Sequence, residues 1–433
     1  GKKFFYLEKK ISQKKYQKIR LLGDKSIIAE EKLLRIYPQK NLFSHIIGQI
    51  DDDNNGISGI EKSFNYELKT EKKPLELTVD TDIQYLIREE LLKYQEIFQS
   101  IGSAAILMNV NSGNLLSMVS LPDFDLNKRQ SIESKNYINR NTKGVYELGS
   151  VFKTFTVAAG FEEGIIEPKT EYLNLKKRLT CGKFTIREYS DKTPTDLTVE
   201  EILIRSGNIG SVRIGQKLGI ENFKLFLEKI GVLNKLNFDI EEVGRPISFS
   251  WGKCKLATVS YGHGITTTPL QLAKAYSIIT NGGFDIQPTL IKKKNKNLQK
   301  KRILNEGVSE KINKILRKIV TNKEGTAELA NVTGYEIGGK TGTAQKVIEG
   351  IYSKEKINTF AAIFPTSKPK YVLIVLLDEP KINKDYIYHY RDGSGFKLKG
   401  SPRNTAGWNS VEVAGKIIEK IGPILATKYS EVN

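Results

Sequence analysis

The chain is poor in the side chains that most often announce chemistry. Among 433 residues there are two cysteines, three histidines, two methionines and two tryptophans. Cys181 and Cys254 form neither a disulfide framework nor a metal-ligand spacing, and the sequence leaves open whether they pair. His45, His263 and His389 lie far apart, which argues against a histidine-based zinc site or a Ser-His-Asp triad. No metal or cofactor signature remains. There is no apolar run of about 18 residues, so no transmembrane helix is predicted within the chain. Negative charge is also short: 49 acidic against 68 basic residues, a net charge of +19. The lysines are spread along the whole length, without the Arg-rich stripe or aromatic interleaving of a nucleic-acid module, so no nucleic-acid partner is expected.

What is present is a globular composition, 39% hydrophobic and 27% charged, in a chain too long for one ordinary core. Residues 1–70 read as a small separate region. Ser12 is placed to cap a helix through Tyr16 and Ile19. Asp51, Asp53, Asn55 and Gly56 match the start of a calcium loop. The position for the bidentate Glu holds Lys62, with Glu61 one residue early, so a polar turn is expected there. Residues 71–433 read as the main domain. Leu75, Leu77 and Val79 alternate as in a strand, and Thr81 with Gln84 has the pattern of a capping box. Ile83 to Phe98 has helical spacing, and Ala104–Val110 with Leu115–Val119 reads as a hairpin. The middle, about 150–330, is mainly helical. Phe360–Phe364 and Tyr371–Leu377 read as neighbouring buried strands before a C-terminal amphipathic helix through Ala414, Ile417, Ile418 and Ile421. Strands at both ends with a helical middle predict an α+β fold, an antiparallel sheet with a helical insertion.

Three short motifs carry the chemistry: Ser150-Val151-Phe152-Lys153, Ser206-Gly207-Asn208 and Lys340-Thr341-Gly342-Thr343. They read as S-x-x-K, S-x-N and K-T-G. Singly they are weak, since S-x-x-K also occurs at Ser12, Ser250, Ser353, Ser367 and Ser394, and S-x-N at Ser63, Ser112 and Ser134. Context selects Ser150. It opens a helical segment, one turn from Lys153, where the helix N-terminus favours a developing oxyanion. A serine hydroxyl needs a neighbour to take its proton, and Lys153 is the candidate base. Burial or a second positive charge, with Lys340 the candidate, would lower its pKa. Lys340 and the Thr341 and Thr343 hydroxyls suit a carboxylate. The preceding Gly338-Gly339 is expected to give a ligand backbone room.

The segments Tyr146–Phe155, Gly262–Ile265 followed by Thr268–Ala273, and Gly338–Gln345 resemble class B penicillin-binding proteins. Gly56–Lys62 resembles the junction between their pedestal and transpeptidase domains, and Arg35–Pro38 with His45–Gly48 resembles the pedestal. Ala406-Gly407-Trp408-Asn409 and the Gly-His-Gly segment are most like the division-specific FtsI type. The resemblance implies a penicillin-binding, serine β-lactamase-like transpeptidase domain behind a partial pedestal. It implies a peptidoglycan D,D-transpeptidase with Ser150 as nucleophile, Lys153, Ser206 and Asn208 as catalytic partners, and Lys340, Thr341, Gly342 and Thr343 holding substrate or β-lactam. The backbone N–H groups of Ser150 and Thr343 would form the oxyanion hole. No cofactor or metal is implied. Implied partners are D-Ala-D-Ala stem peptides, β-lactam antibiotics, a membrane-embedded glycan polymerase and other divisome proteins. The implied location is the inner membrane, facing the periplasm, through a single N-terminal anchor outside this chain. Gly207 departs from relatives that carry a side chain there, which puts the order of the loop near Asn208 in question. The alternatives are an elongation-specific transpeptidase, a D,D-carboxypeptidase or β-lactamase-like hydrolase, and a β-lactam sensor or division scaffold.

Overall fold

The computed structural model describes every residue except 1–4, 9, 10, 32, 33, 72, 129–134, 183, 293–300 and 430–433. Packing divides the chain into two units, Gly1–Pro38 and Gln39–Asn433. In the first, a helix Gln13–Arg20 starts at Ser12, whose hydroxyl accepts the Lys15 N–H, and it buries no residue. The boundary in packing lies at 38/39, and Ile46 and Ile60 join the main core.

The second unit is built on a five-stranded antiparallel sheet. Its strands are β1 (Gly102–Asn109), β2 (Leu115–Leu121), β3 (Gly338–Ile348), β4 (Ile351–Phe364) and β5 (Tyr371–Asp378), in spatial order β2-β1-β5-β4-β3. Two distant parts of the chain therefore build one sheet, joined where β1 pairs with β5 from Gly102↔Asp378 to Asn109↔Tyr371. Every residue of β2 and β5 is buried, so helices must cover both faces. Helix α1 (Thr81–Ile97) packs with the C-terminal helix against β1, β2, β4 and β5, while the helices Pro269–Thr280 and Glu306–Thr321 pack together against β1, β3, β4 and β5.

Local chemistry explains the helix starts. Asp80, not Thr81, caps α1, its carboxylate accepting the N–H groups of Asp82 and Ile83. Gln84, released from the expected capping box, is buried. It donates to Leu42 O and Met118 O and accepts from Ser117 Oγ and the Met118 N–H, fastening residue 42 and β2 to α1. Leu75–Val79 forms no strand. Leu77 makes a single bridge to Ile291. In the predicted polar turn, the Asp51 carboxylate is taken up by the N–H groups of Asp53 and Asn55 and by the Asn55 amide. The C-terminal segment is held by a buried ion pair: Arg391 Nη2 lies 2.6 Å from Glu412 Oε1, with the two side chains 4% and 0% exposed. Tyr386 Oη also donates to Glu412 Oε1 at 2.7 Å.

Candidate active site

The S-x-x-K segment starts in a 3₁₀ turn, Gly149–Phe152, that leads into helix α2 (Lys153–Glu162). In 3₁₀ geometry residues three apart eclipse, so Ser150 and Lys153 share a face. Two glycines let this segment press against edge strand β3. Gly149 has φ +63°, and a Cβ there would stand 2.8 Å from Thr343 O. A Cβ at Gly342 would stand 2.1 Å from Leu148 O. The glycine of K-T-G therefore makes room for the S-x-x-K segment. The pair Gly338-Gly339 does not serve a ligand either. Their Cβ positions meet the backbone of Leu316 and Arg317, and the Phe360 ring with Ala361 O. The reason for these glycines is close packing of strand, helix and ring.

The S-x-N motif follows helix α3 (Val199–Ile204), which a Thr198/Glu201 capping box begins, and opens helix α4 (Asn208–Leu218). Ser206 is left-handed, with φ +59°, an unfavourable conformation for a residue with a side chain. Its carbonyl and its hydroxyl both meet Lys153. Lys153 Nζ lies 2.5 Å from Ser206 O, 3.1 Å from Ser206 Oγ and 2.6 Å from Asn208 Oδ1. Lys340 Nζ reaches the same hydroxyl at 2.9 Å and donates to Thr341 O at 3.0 Å. Ser206 Oγ thus bridges two amines. Thr341 Oγ1 shares a hydrogen bond with Thr326 Oγ1 at 2.7 Å, and Thr343 Oγ1 accepts the Ala406 N–H at 3.0 Å. That second bond ties the Ala406–Asn409 segment to K-T-G-T.

Lys153 and Lys340 are both fully buried. Burial lowers the pKa of Lys153 to about 7, against the opposing pull of the Glu188 carboxylate. Burial, and then the charge of Lys153, push Lys340 well below the usual lysine range. A neutral Lys153 has two N–H donors and a lone pair. Ser206 O and Asn208 Oδ1 accept the donors, which leaves the lone pair for a hydroxyl proton. Among the described residues, the hydrogen bonds of Lys153 run to Ser206 and Asn208 and not to Ser150, a looseness common before substrate binds.

Two acidic residues with no place in the sequence motifs also belong here. Glu188 Oε2 and Oε1 accept the N–H groups of Asn208 at 2.8 Å and Ile209 at 2.7 Å. Glu147 accepts the Gly264 N–H and the Tyr352 hydroxyl beside a stack of Tyr261, His263 and Tyr352 rings. For Glu147 the sequence signal was its place in the Tyr146–Phe155 segment, three residues before Ser150. For Glu188 there was none. At Gly207 a Cβ would meet nothing closer than 3.6 Å, and the bonds from Glu188 order the loop without a side chain there. Cys181 and Cys254 form a disulfide.

Residues 103–393 match the family described as penicillin binding protein transpeptidase domain. The chain is 31% identical over 422 residues to the probable peptidoglycan D,D-transpeptidase FtsI of Caulobacter vibrioides, covering 94% of this chain and 69% of that protein. It is also 31% identical over 417 residues to stage V sporulation protein D of Bacillus subtilis, covering 86% of this chain and 64% of that one. In fold it is similar to penicillin-binding protein 3 of Mycobacterium tuberculosis, solved in apo form, with a TM-score of 0.77 at 23% identity over 90% of this chain and 91% of that one. The same protein has been solved with aztreonam and with ampicillin. The extent of these matches, joined to one sheet edge that carries K-T-G against S-x-x-K, places the chain in the penicillin-binding protein transpeptidase family, as a class B member of FtsI type.

Proposed function

We propose that this chain is the catalytic part of a serine D,D-transpeptidase that cross-links peptidoglycan stem peptides during septal wall synthesis, and that β-lactams acylate the same serine. The observation that carries the reading is the buried Lys153 amine, held by Ser206 and Asn208 one turn from Ser150. Ser150 Oγ attacks the carbonyl carbon of the penultimate D-alanine while its proton passes to Lys153 Nζ. The oxyanion is met by the N–H groups of Ser150 and Thr343. As the C–N bond breaks, Lys153 returns the proton to the departing D-alanine amine, directly or through Ser206 Oγ. An amine of a second stem peptide then attacks the ester, gives up a proton to Lys153, and Ser150 recovers its own. Lys340 with the hydroxyls of Thr341 and Thr343 holds the terminal carboxylate, whose charge offsets that of the buried amines.

In this reading residues 1–70 form part of a pedestal and residues 71–433 the catalytic domain. An N-terminal anchor outside the chain holds the enzyme to the inner membrane, and a membrane-embedded glycan polymerase and other divisome proteins are its partners. The Cys181–Cys254 disulfide supports an oxidising compartment, as the periplasm is. The test is intact-mass spectrometry after exposure to benzylpenicillin. One covalent adduct is expected in the parent and none in Ser150→Ala. An adduct that persists in the variant, or no adduct in the parent, overturns the assignment. Slow decay of that adduct distinguishes a transpeptidase from a β-lactamase.

A further inference from the structure

Asn208 is oriented by two residues outside every motif. Arg187 O accepts from Asn208 Nδ2 at 2.7 Å, which turns Oδ1 toward Lys153. Glu188 accepts the N–H groups of Asn208 and Ile209, two of the donors that the first turn of α4 leaves without helical partners. Both residues stand at the end of a small hairpin, Arg178–Cys181 paired with Phe184–Arg187. Strands of four residues do not hold themselves in place. The hairpin has the buried Ile186 as one anchor. Leu179 packs against the core as well, and the disulfide ties Cys181 to Cys254 in the helix Lys253–Val259. That helix buries Leu256, Ala257 and Val259 and packs on α4. The disulfide thus closes a ring of contacts from the hairpin through this helix to α4 and back through Glu188.

We propose that Glu188, presented on a hairpin clamped by the Cys181–Cys254 disulfide, is a positioning residue for acylation that fixes Asn208 and, through it, the amine of Lys153. The inference rests on the acyl-enzyme reading above. The groups that bear on the charge of Lys153 come from two elements. Glu188 favours its protonated form, and Lys340 on β3 shares Ser206 Oγ with it. Removing the Glu188 charge should therefore make Lys153 easier to deprotonate, and loosening the hairpin that presents Glu188 should misplace the amine.

The experiment is the second-order acylation rate with a fluorescent penicillin from pH 5 to 9, on the whole chain, with Ser150→Ala as blank. In Glu188→Gln the acid limb is expected to move to lower pH by about one unit, as for loss of one nearby charge. The plateau is expected to fall as well. Glu188→Asp should keep the limb where the parent has it. Cys181→Ser/Cys254→Ser, or the parent reduced under native conditions, should lose roughly tenfold in plateau rate. A Glu188→Gln profile with the limb in place overturns the positioning role, because a merely structural loss lowers the rate at every pH. A reduced parent that acylates at the oxidised rate overturns the clamp. A parent that forms no adduct at all overturns the underlying functional reading instead.

Discussion

In the proposed mechanism Lys153→Met removes the amine that takes the Ser150 proton, and two consequences follow in opposite halves of the pH scale. In the folded chain the Lys153 pKa is about 7, against an ordinary value of 10.5. At about 1.4 kcal/mol per pH unit, the difference amounts to about 5 kcal/mol. At pH 7 it raises the neutral fraction from about 3 in 10,000 to about half. Acylation of the parent should therefore rise tenfold per pH unit up to about pH 7 and then level off, and Lys153→Met should not acylate measurably. The same difference acts on stability. Between about pH 7 and 10.5 the unfolded chain keeps a proton that the folded chain has lost. Stability from this group therefore rises with pH across that window, by up to about 1.4 kcal/mol per unit, and is constant below it. Urea unfolding of parent and Lys153→Met from pH 6 to 9, paired with acylation rates, tests both. An acylation profile flat down to pH 5, or a stability difference between the two proteins that does not change above pH 7, would refute the reasoning.

Two further changes test the packing around the site. Glu412→Ala leaves the Arg391 charge with the Leu329 carbonyl and the half-exposed Glu419, 3.5 Å away, and is expected to cost about 3–5 kcal/mol in denaturant unfolding. Arg391→Met/Glu412→Leu should recover most of that loss, and a single-variant cost below about 1 kcal/mol would show that the pair is not desolvated. Gly149→Ala forces φ +63° on a residue with a Cβ and sets that Cβ 2.8 Å from Thr343 O. Its acylation rate should drop roughly tenfold or more. Gly164→Ala, at φ +65° with nothing within 4 Å, serves as control and should keep the parent rate. Equal rates in the two variants would mean that the contact with β3 does not place the nucleophile.

The three motifs were readable because each is a short linear string whose residue types follow from the chemistry. The structure brings Lys153, Ser206, Asn208 and Lys340 into one hydrogen-bonded cluster. The α+β class was readable from strand patterns at the two ends of the chain. Other features depend on what lies across space. Glu188 is an ordinary acidic residue until a hairpin carries it to the first turn of α4. The two cysteines, 73 residues apart, give no local sign of pairing. Gly338 and Gly339 invited a ligand because the sequence does not show that a helix backbone and the Phe360 ring already fill the space above them. Thr81 and Gln84 matched a capping pattern, but the Asp80 carboxylate is the stronger acceptor and stands one residue earlier, which freed Gln84 for β2.

The sheet joins two early strands to three late ones, and this order sets when the protein becomes reactive. A ribosome delivers residue 150 long before residues 338–378, so a growing chain carries Ser150 for that span without the strands that complete the sheet. Pairings of such long sequence separation form slowly and late. Until β3, β4 and β5 dock, Ser150 has no Lys340 or Thr343 beside it, and Lys153 is not enclosed. Penicillin labelling of this chain is thus a probe of finished folding: only molecules that have closed the β1–β5 junction should take the label.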